Sequence, residues 1–139
     1  MQTFLPYRDF YQSGAVLDQK RLGKQRVEVL QMLNKIHGIT QGKGWSNHPC
    51  TKMWSKTPNA LVEYGVQICC AWRDRGYKDT CLEKIQAHYK PLQTHRMPDW
   101  LGNWDFHQSH KSMLIQKKPE FYTQFWPDVP HNLEYIWPV

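Results

Sequence analysis

From Leu17 to His37 the apolar residues recur at helical spacing. Leu22, Val29, Leu30, Leu33 and Ile36 fall within about a third of a turn on a 3.6-residue wheel. The stripe predicts a helix with one face on the core, opened by Asp18 as cap and closed by Gly38. The stretch GITQGKGWSNHPC that follows holds too many turn residues for regular structure and is read as a loop. A second helix is announced by Thr57 as cap with Pro58 at its first position, and it ends at Gly76 with Arg73 and Arg75 in its last turn. Thr80 and Glu83 have capping-box spacing and predict a third helix that stops before Pro91. Residues Lys90 to Trp104 read as a long surface connection. A fourth helix is expected from Asp105, with Gln108 as box partner, to Pro119. The tail PEFYTQFWPDVPHNLEYIWPV is aromatic and broken by proline, which predicts short turns laid over the helices. No strand, repeat or low-complexity tract is evident. The predicted class is all-α: one compact helical bundle spanning 1–139, with long loops and an irregular aromatic C-terminal tail.

Composition adds two constraints. Aromatics make up 14% of the 139 residues, with seven Trp and seven Tyr, so the chain has the apolar mass to fold as one domain. Lys and Arg number 18 against 12 Asp and Glu, a formal charge of +6 that favours an anionic partner such as nucleic acid. No run approaches the roughly 20 apolar residues of a membrane span, and MQTFLPYRDF lacks the charged start and apolar run of a signal peptide. A soluble intracellular protein without membrane contact is expected. Cys50, Cys69, Cys70 and Cys81 do not have zinc-site spacing, and they are read as buried or partly buried free thiols.

Candidate chemistry sits on the other face of the first helix. Arg21, Lys24 and Glu28 cluster within about 60° of one another, one carboxylate among cations. A solvated salt-bridge face has the same spacing, and pairs of that kind stabilise a helix by only about 0.2 to 0.5 kcal/mol each. Arg26 falls within the apolar arc, where a charge is costly unless it is paired or its head reaches water. Lys20, Lys24, Lys43, Lys52, Lys56, Lys111, Lys117 and Lys118 lie in or beside segments rich in Trp, Tyr or His, a mixture suited to phosphate contact and base stacking. On the fourth helix His107, His110 and Lys111 share a side, and phosphate contact is expected there. No carboxylate or thiolate recurs near these histidines at ligand spacing, so neither a metal nor a cofactor is expected.

The opening helix LDQKRLGKQRVEVLQML, the loop GWSNHPCTKMW, the segment NALVEYGVQICCAWRDRGY and the C-terminal HQSHKSMLIQKKPEFY resemble, in order and spacing, the pyrimidine-dimer DNA glycosylases of the bacteriophage endonuclease V type and their bacterial relatives. The resemblance spans nearly the whole chain. It implies an all-helical glycosylase with an associated strand-cleaving lyase activity, acting as a monomer on double-stranded DNA in a bacterial cytoplasm or a phage-infected host. An N-terminal α-amine would attack C1′ of the damaged nucleotide and form an imine, assisted by a glutamate that matches Glu28. Arg21 and Arg26 match a basic stretch that grips DNA beside the lesion. Asn47 and His48 fall where another wall of the pocket is expected; without the resemblance, His48 reads as a structural loop histidine. Such enzymes carry a small second residue that follows a removed initiator methionine. Gln2 is too large for that, so the amine of Met1 itself would have to serve.

The chemistry has a physical basis beside the resemblance. A base leaving its sugar builds oxocarbenium-like positive charge, which a nearby carboxylate stabilises. An α-amine titrates about 2.5 units below a lysine side chain, so part of it is neutral and nucleophilic near pH 7. A DNA-binding protein that keeps the fold without catalysis is the alternative, motivated by the changed start of the chain. A helical module that binds protein through its aromatic surface is a third.

Overall fold

The computed structural model describes residues 1–40 and 48–139. Among them are α1 Phe10–Ala15, α2 Gln19–Ile36, α3 Pro49–Trp54, α4 Pro58–Asp74, α5 Leu82–Gln86, α6 Trp104–Lys117 and α7 Pro119–Tyr122, with no strand. The all-α class is as expected. Helix α4 is the hub, in contact with α1, α2 and α5.

Local chemistry explains most of the boundaries. Asp18 caps α2 as anticipated, accepting from the backbone N–H of Arg21, and Gly38 at φ 72° follows its end. Pro58 opens α4, and Gly76 at φ 88° lies just past its C-cap Arg75. Thr57 holds the N-cap position as expected, but its hydroxyl makes no capping bond and is buried without a partner among the described residues. The box at Thr80 also fails. The Asp79 carboxylate instead accepts from the backbone N–H groups of Cys81 and Leu82, and α5 lasts only five residues. The cap of α6 lies two residues before the expected one: Asn103 rather than Asp105 accepts from the N–H of Phe106, and the helix starts at Trp104. Pro119 ends α6 as predicted but also opens α7. Two short helices were not foreseen. Asp9 caps α1, and the His48 imidazole caps α3 by accepting from the N–H of Cys50 at 3.1 Å. Neither is long enough to carry an apolar period that a sequence could display.

The feature that organises the interior is the extended segment at the start of the chain. Thr3 and Leu5 are fully buried and Phe4 nearly so, and buried backbone outside regular structure must find partners for its polar groups. Three helices supply them, and a fourth binds a side chain of the segment. Gln25 of α2 donates to the Gln2 carbonyl at 2.8 Å and accepts from the Phe4 N–H at 2.7 Å. The Tyr64 hydroxyl of α4 lies 2.8 Å from the Phe4 carbonyl. His110 Nδ1 of α6 accepts from the Leu5 N–H at 2.9 Å, and His107 Nδ1 donates to the Leu5 carbonyl at 2.7 Å. From α3, the Trp54 indole N–H reaches the Thr3 hydroxyl at 3.1 Å. The C-terminal tail closes over α6, with the Leu133 and Ile136 N–H groups held by Ser112 and Ser109.

Candidate functional site

The first residue of this buried thread emerges into a cleft of about 310 Å³ lined by Met1, Gln2, Phe4, Lys20, Arg21, Lys24, Glu28 and Lys117. Three of the expected residues, Arg21, Lys24 and Glu28, therefore do meet Met1 in one place. Lys20 joins them from the first turn of α2, and Lys117 arrives from the last turn of α6, a neighbour that no spacing along the chain reveals.

Glu28 is not on a solvated face. It is 7% exposed, and Oε2 is buried with no hydrogen-bond partner among the described residues. The buried arc of α2 runs through Leu22, Gln25, Glu28, Val29, Met32 and Leu33, displaced from the predicted stripe because the thread lies over the Gln25–Glu28 side. A buried carboxylate oxygen without a donor carries a desolvation cost that a structural role does not explain. Arg21 is anchored at the rim: its guanidinium is 3.1 Å from Asp18, which also accepts from the Tyr122 hydroxyl. Burial alone would raise the Asp18 carboxyl, but these hydrogen bonds and the Arg21 charge outweigh it and hold the group below the usual carboxylate range.

His48 borders the same neighbourhood. Its imidazole is held below the usual histidine range, first by burial and then by the Met1 ammonium group, while Glu28 pulls the other way. It therefore lies within electrostatic reach of both. Its ring also packs edge-on against Trp137 of the tail. Asn47 lies outside the described residues.

Four expected DNA contacts are placed elsewhere. His110 is fully buried, stacked between Phe106 and Tyr135, and burial pushes it down to about 3, so it is a neutral imidazole inside the core rather than a phosphate ligand. His107, 8% exposed, is likewise lowered by burial; its Nε2 accepts from the Gly102 N–H while Nδ1–H donates to Leu5, which fixes a neutral tautomer. Arg26 pairs with the buried Asp79 carboxylate and lies 4.4 Å over the Trp72 ring, on the side of α2 away from the cleft. The paired option for this arginine is the one realised. Lys111 is half-buried, with its ammonium 5.2 Å over the Tyr7 ring and 6.0 Å over Trp126, and it does not line the cleft. Its pKa is lowered by burial.

Gln25 and Tyr64 are the residues that sequence reasoning passed over. The only signal was a polar side chain one turn before Glu28, and its meaning depends on the thread that covers it. Among the described residues no cluster of three His, Cys, Asp or Glu side chains is arranged to hold a metal. Cys50, Cys69 and Cys81 are buried thiols and Cys70 is half-buried, with Cys50 raised to about 12 by burial. No helix among the described residues is long and apolar enough to cross a membrane.

No curated protein and no solved structure matches the chain significantly. The model of one family does, over residues 1–85 of 139, a stretch that contains the thread, all of α2, Glu28, Gln25 and Tyr64. A buried carboxylate opposite the amino end of the chain, ringed by cations, lies within the matched part, and the chain belongs to the pyrimidine dimer DNA glycosylase family.

Proposed function

We propose that residues 1–139 act as one unit that extrudes a damaged pyrimidine from duplex DNA, releases it in the Met1–Glu28 cleft, and then cleaves the strand as a lyase. Extrusion is the general means of reaching a base held in the stack. Lys20, Arg21, Lys24 and Lys117 bind the flanking phosphates, and His48 and Asn47 form a wall of the pocket. The amine lone pair of Met1 forms a bond to C1′ as the C1′–N bond to the base breaks, the departing base taking the bonding electrons. Glu28 stabilises the positive charge that builds on C1′ and the ring oxygen. It then carries protons as the sugar ring opens to the imine and as a C2′ proton is removed, with loss of the 3′ phosphate. Water hydrolyses the imine and restores the amine.

The single observation that supports this most is the buried, unpartnered Oε2 of Glu28 in a cleft shared with Met1 and four cationic side chains. A surface built only to bind DNA has no use for a desolvated carboxylate, which repels phosphate. The test compares base release from irradiated and unmodified duplexes by the native protein and by Glu28→Gln. Release from irradiated DNA that falls by about 10²- to 10³-fold in the variant, with DNA affinity retained, is the expected result. Salt-sensitive DNA binding by both proteins without release by either supports a non-catalytic DNA-binding protein, and no DNA binding by either supports a protein-interaction module.

A further inference from the structure

Gln25 and Glu28 stand on the same helix, one turn and about 4.5 Å of axial rise apart. Gln25 is fully buried, and both ends of its amide are committed to the thread. Its orientation is unambiguous: Oε1 faces a backbone N–H at Phe4 and Nε2 faces a carbonyl at Gln2, so a flipped amide would meet two like groups. The pairing imitates what a neighbouring strand would give residues 2 and 4. Tyr64 braces it from α4, its hydroxyl 2.8 Å from Gln25 Oε1 and 2.8 Å from the Phe4 carbonyl. A backbone held at residues 2 and 4 leaves Met1 little freedom.

We infer that Gln25 is a positioning residue for the amine chemistry: it clamps Gln2 and Phe4 so that the Met1 nitrogen is held against Glu28 by the same helix that carries the carboxylate. The inference rests on the proposed role of the Met1 amine. It accounts for an amide buried one turn from a carboxylate whose Oε2 has no hydrogen-bond partner among the described residues, where an apolar residue would fill the space at lower desolvation cost. Carboxylate and clamp on one rigid element fix their separation better than two elements packed together would.

The test uses the full chain and duplex DNA containing an abasic site, whose C1′ aldehyde condenses with an amine. The nitrogen bonds to C1′, the carbonyl oxygen departs as water, and borohydride delivers hydride to C1′ to make the adduct permanent. Trapping rates are measured against DNA concentration for the native protein, for the near-isosteric Gln25→Met, and for a chain with one glutamine inserted between Met1 and Gln2, a residue large enough to keep the initiator methionine in place. The insertion leaves Gln25 untouched and displaces only the amine, so it keeps the test informative where Gln25→Met does not fold. The expected result is a saturating rate lowered by about 10²-fold in both altered proteins, the scale of loss for a misplaced reacting group, with an unchanged half-saturating DNA concentration. A residue that only supported the fold would instead move affinity and saturating rate together. Native-like saturating rates in both altered proteins overturn the positioning role alone. No adduct with the native protein overturns the amine chemistry and the positioning role with it.

Discussion

On α2, Gln25 and Glu28 are both buried, and they differ in what they touch. Gln25 has both ends of its amide engaged, whereas Glu28 Oε2 has no partner among the described residues. The helical wheel shows Glu28 beside Arg21 and Lys24, and the cleft keeps that grouping. What spacing along the chain does not carry is depth, because the cover over this face is a segment more than twenty residues upstream with no periodicity of its own. The histidines of α6 are misread for the same reason. Their shared side predicts a cationic face, but it faces the Leu5 backbone and the core. This has a consequence in acid. His110 is neutral in the fold, with a pKa of about 3 against 6.5 ordinarily, so unfolding takes up a proton anywhere between those values. Stability is therefore full above about pH 6.5 and falls as the pH drops, by up to about 1.4 kcal/mol per unit for each such histidine, with His107, His37 and His88 lowered in the same direction. Thermal melts between pH 7.5 and 4.5 should show a Tm that is level down to about pH 6.5 and declines below it; a profile flat throughout would contradict the buried neutral histidines. Lys24, exposed at the cleft, makes the contrasting case. Lys24→Ala should leave Tm unchanged, weaken DNA binding, and lower the slope of log affinity against log salt by about one.

At the scale of elements, the long helices were legible and the short ones were not. An 18-residue helix displays its stripe five times over, while α1 and α3 at six residues each depend on single capping side chains. The junction of α2, α4 and α5 turns on Gly65. A Cβ there would stand 2.7 Å from Val29 Cγ1 and 3.0 Å from Ile85 Cγ2, so the glycine is what allows the helices to approach. Gly65→Ala should destabilise the protein by about 1 to 3 kcal/mol despite the better helix propensity of alanine, because overpacking outweighs the roughly 1 kcal/mol gained. Denaturant unfolding measures this, and a rise in midpoint would contradict the packing. On the same side, the Asp79 carboxylate ties Arg26 and Arg73 to the start of α5. Asp79→Ala leaves Arg26 a partly buried cation without its acid and should cost about 3 to 5 kcal/mol. DNA affinity at a permissive temperature should not change, since neither residue lines the cleft.

Across the whole molecule, helices α2, α3, α4 and α6 converge on the extended residues 2–5 and hold them by side-chain hydrogen bonds. Nothing in MQTFLPYRDF shows this, because extended backbone satisfied by distant side chains leaves no local pattern. The excess of positive charge was legible from composition, but its placement around the cleft follows from α6 bringing Lys117 to α2. In the proposed reaction the Met1 nitrogen, and not a lysine of the cleft, is the nucleophile. The direct measurement is intact-mass and peptide mapping after borohydride reduction of the protein with abasic-site DNA. A single adduct on the peptide that carries Met1 is predicted, and an adduct on Lys20, Lys24 or Lys117, or none at all, would contradict the account.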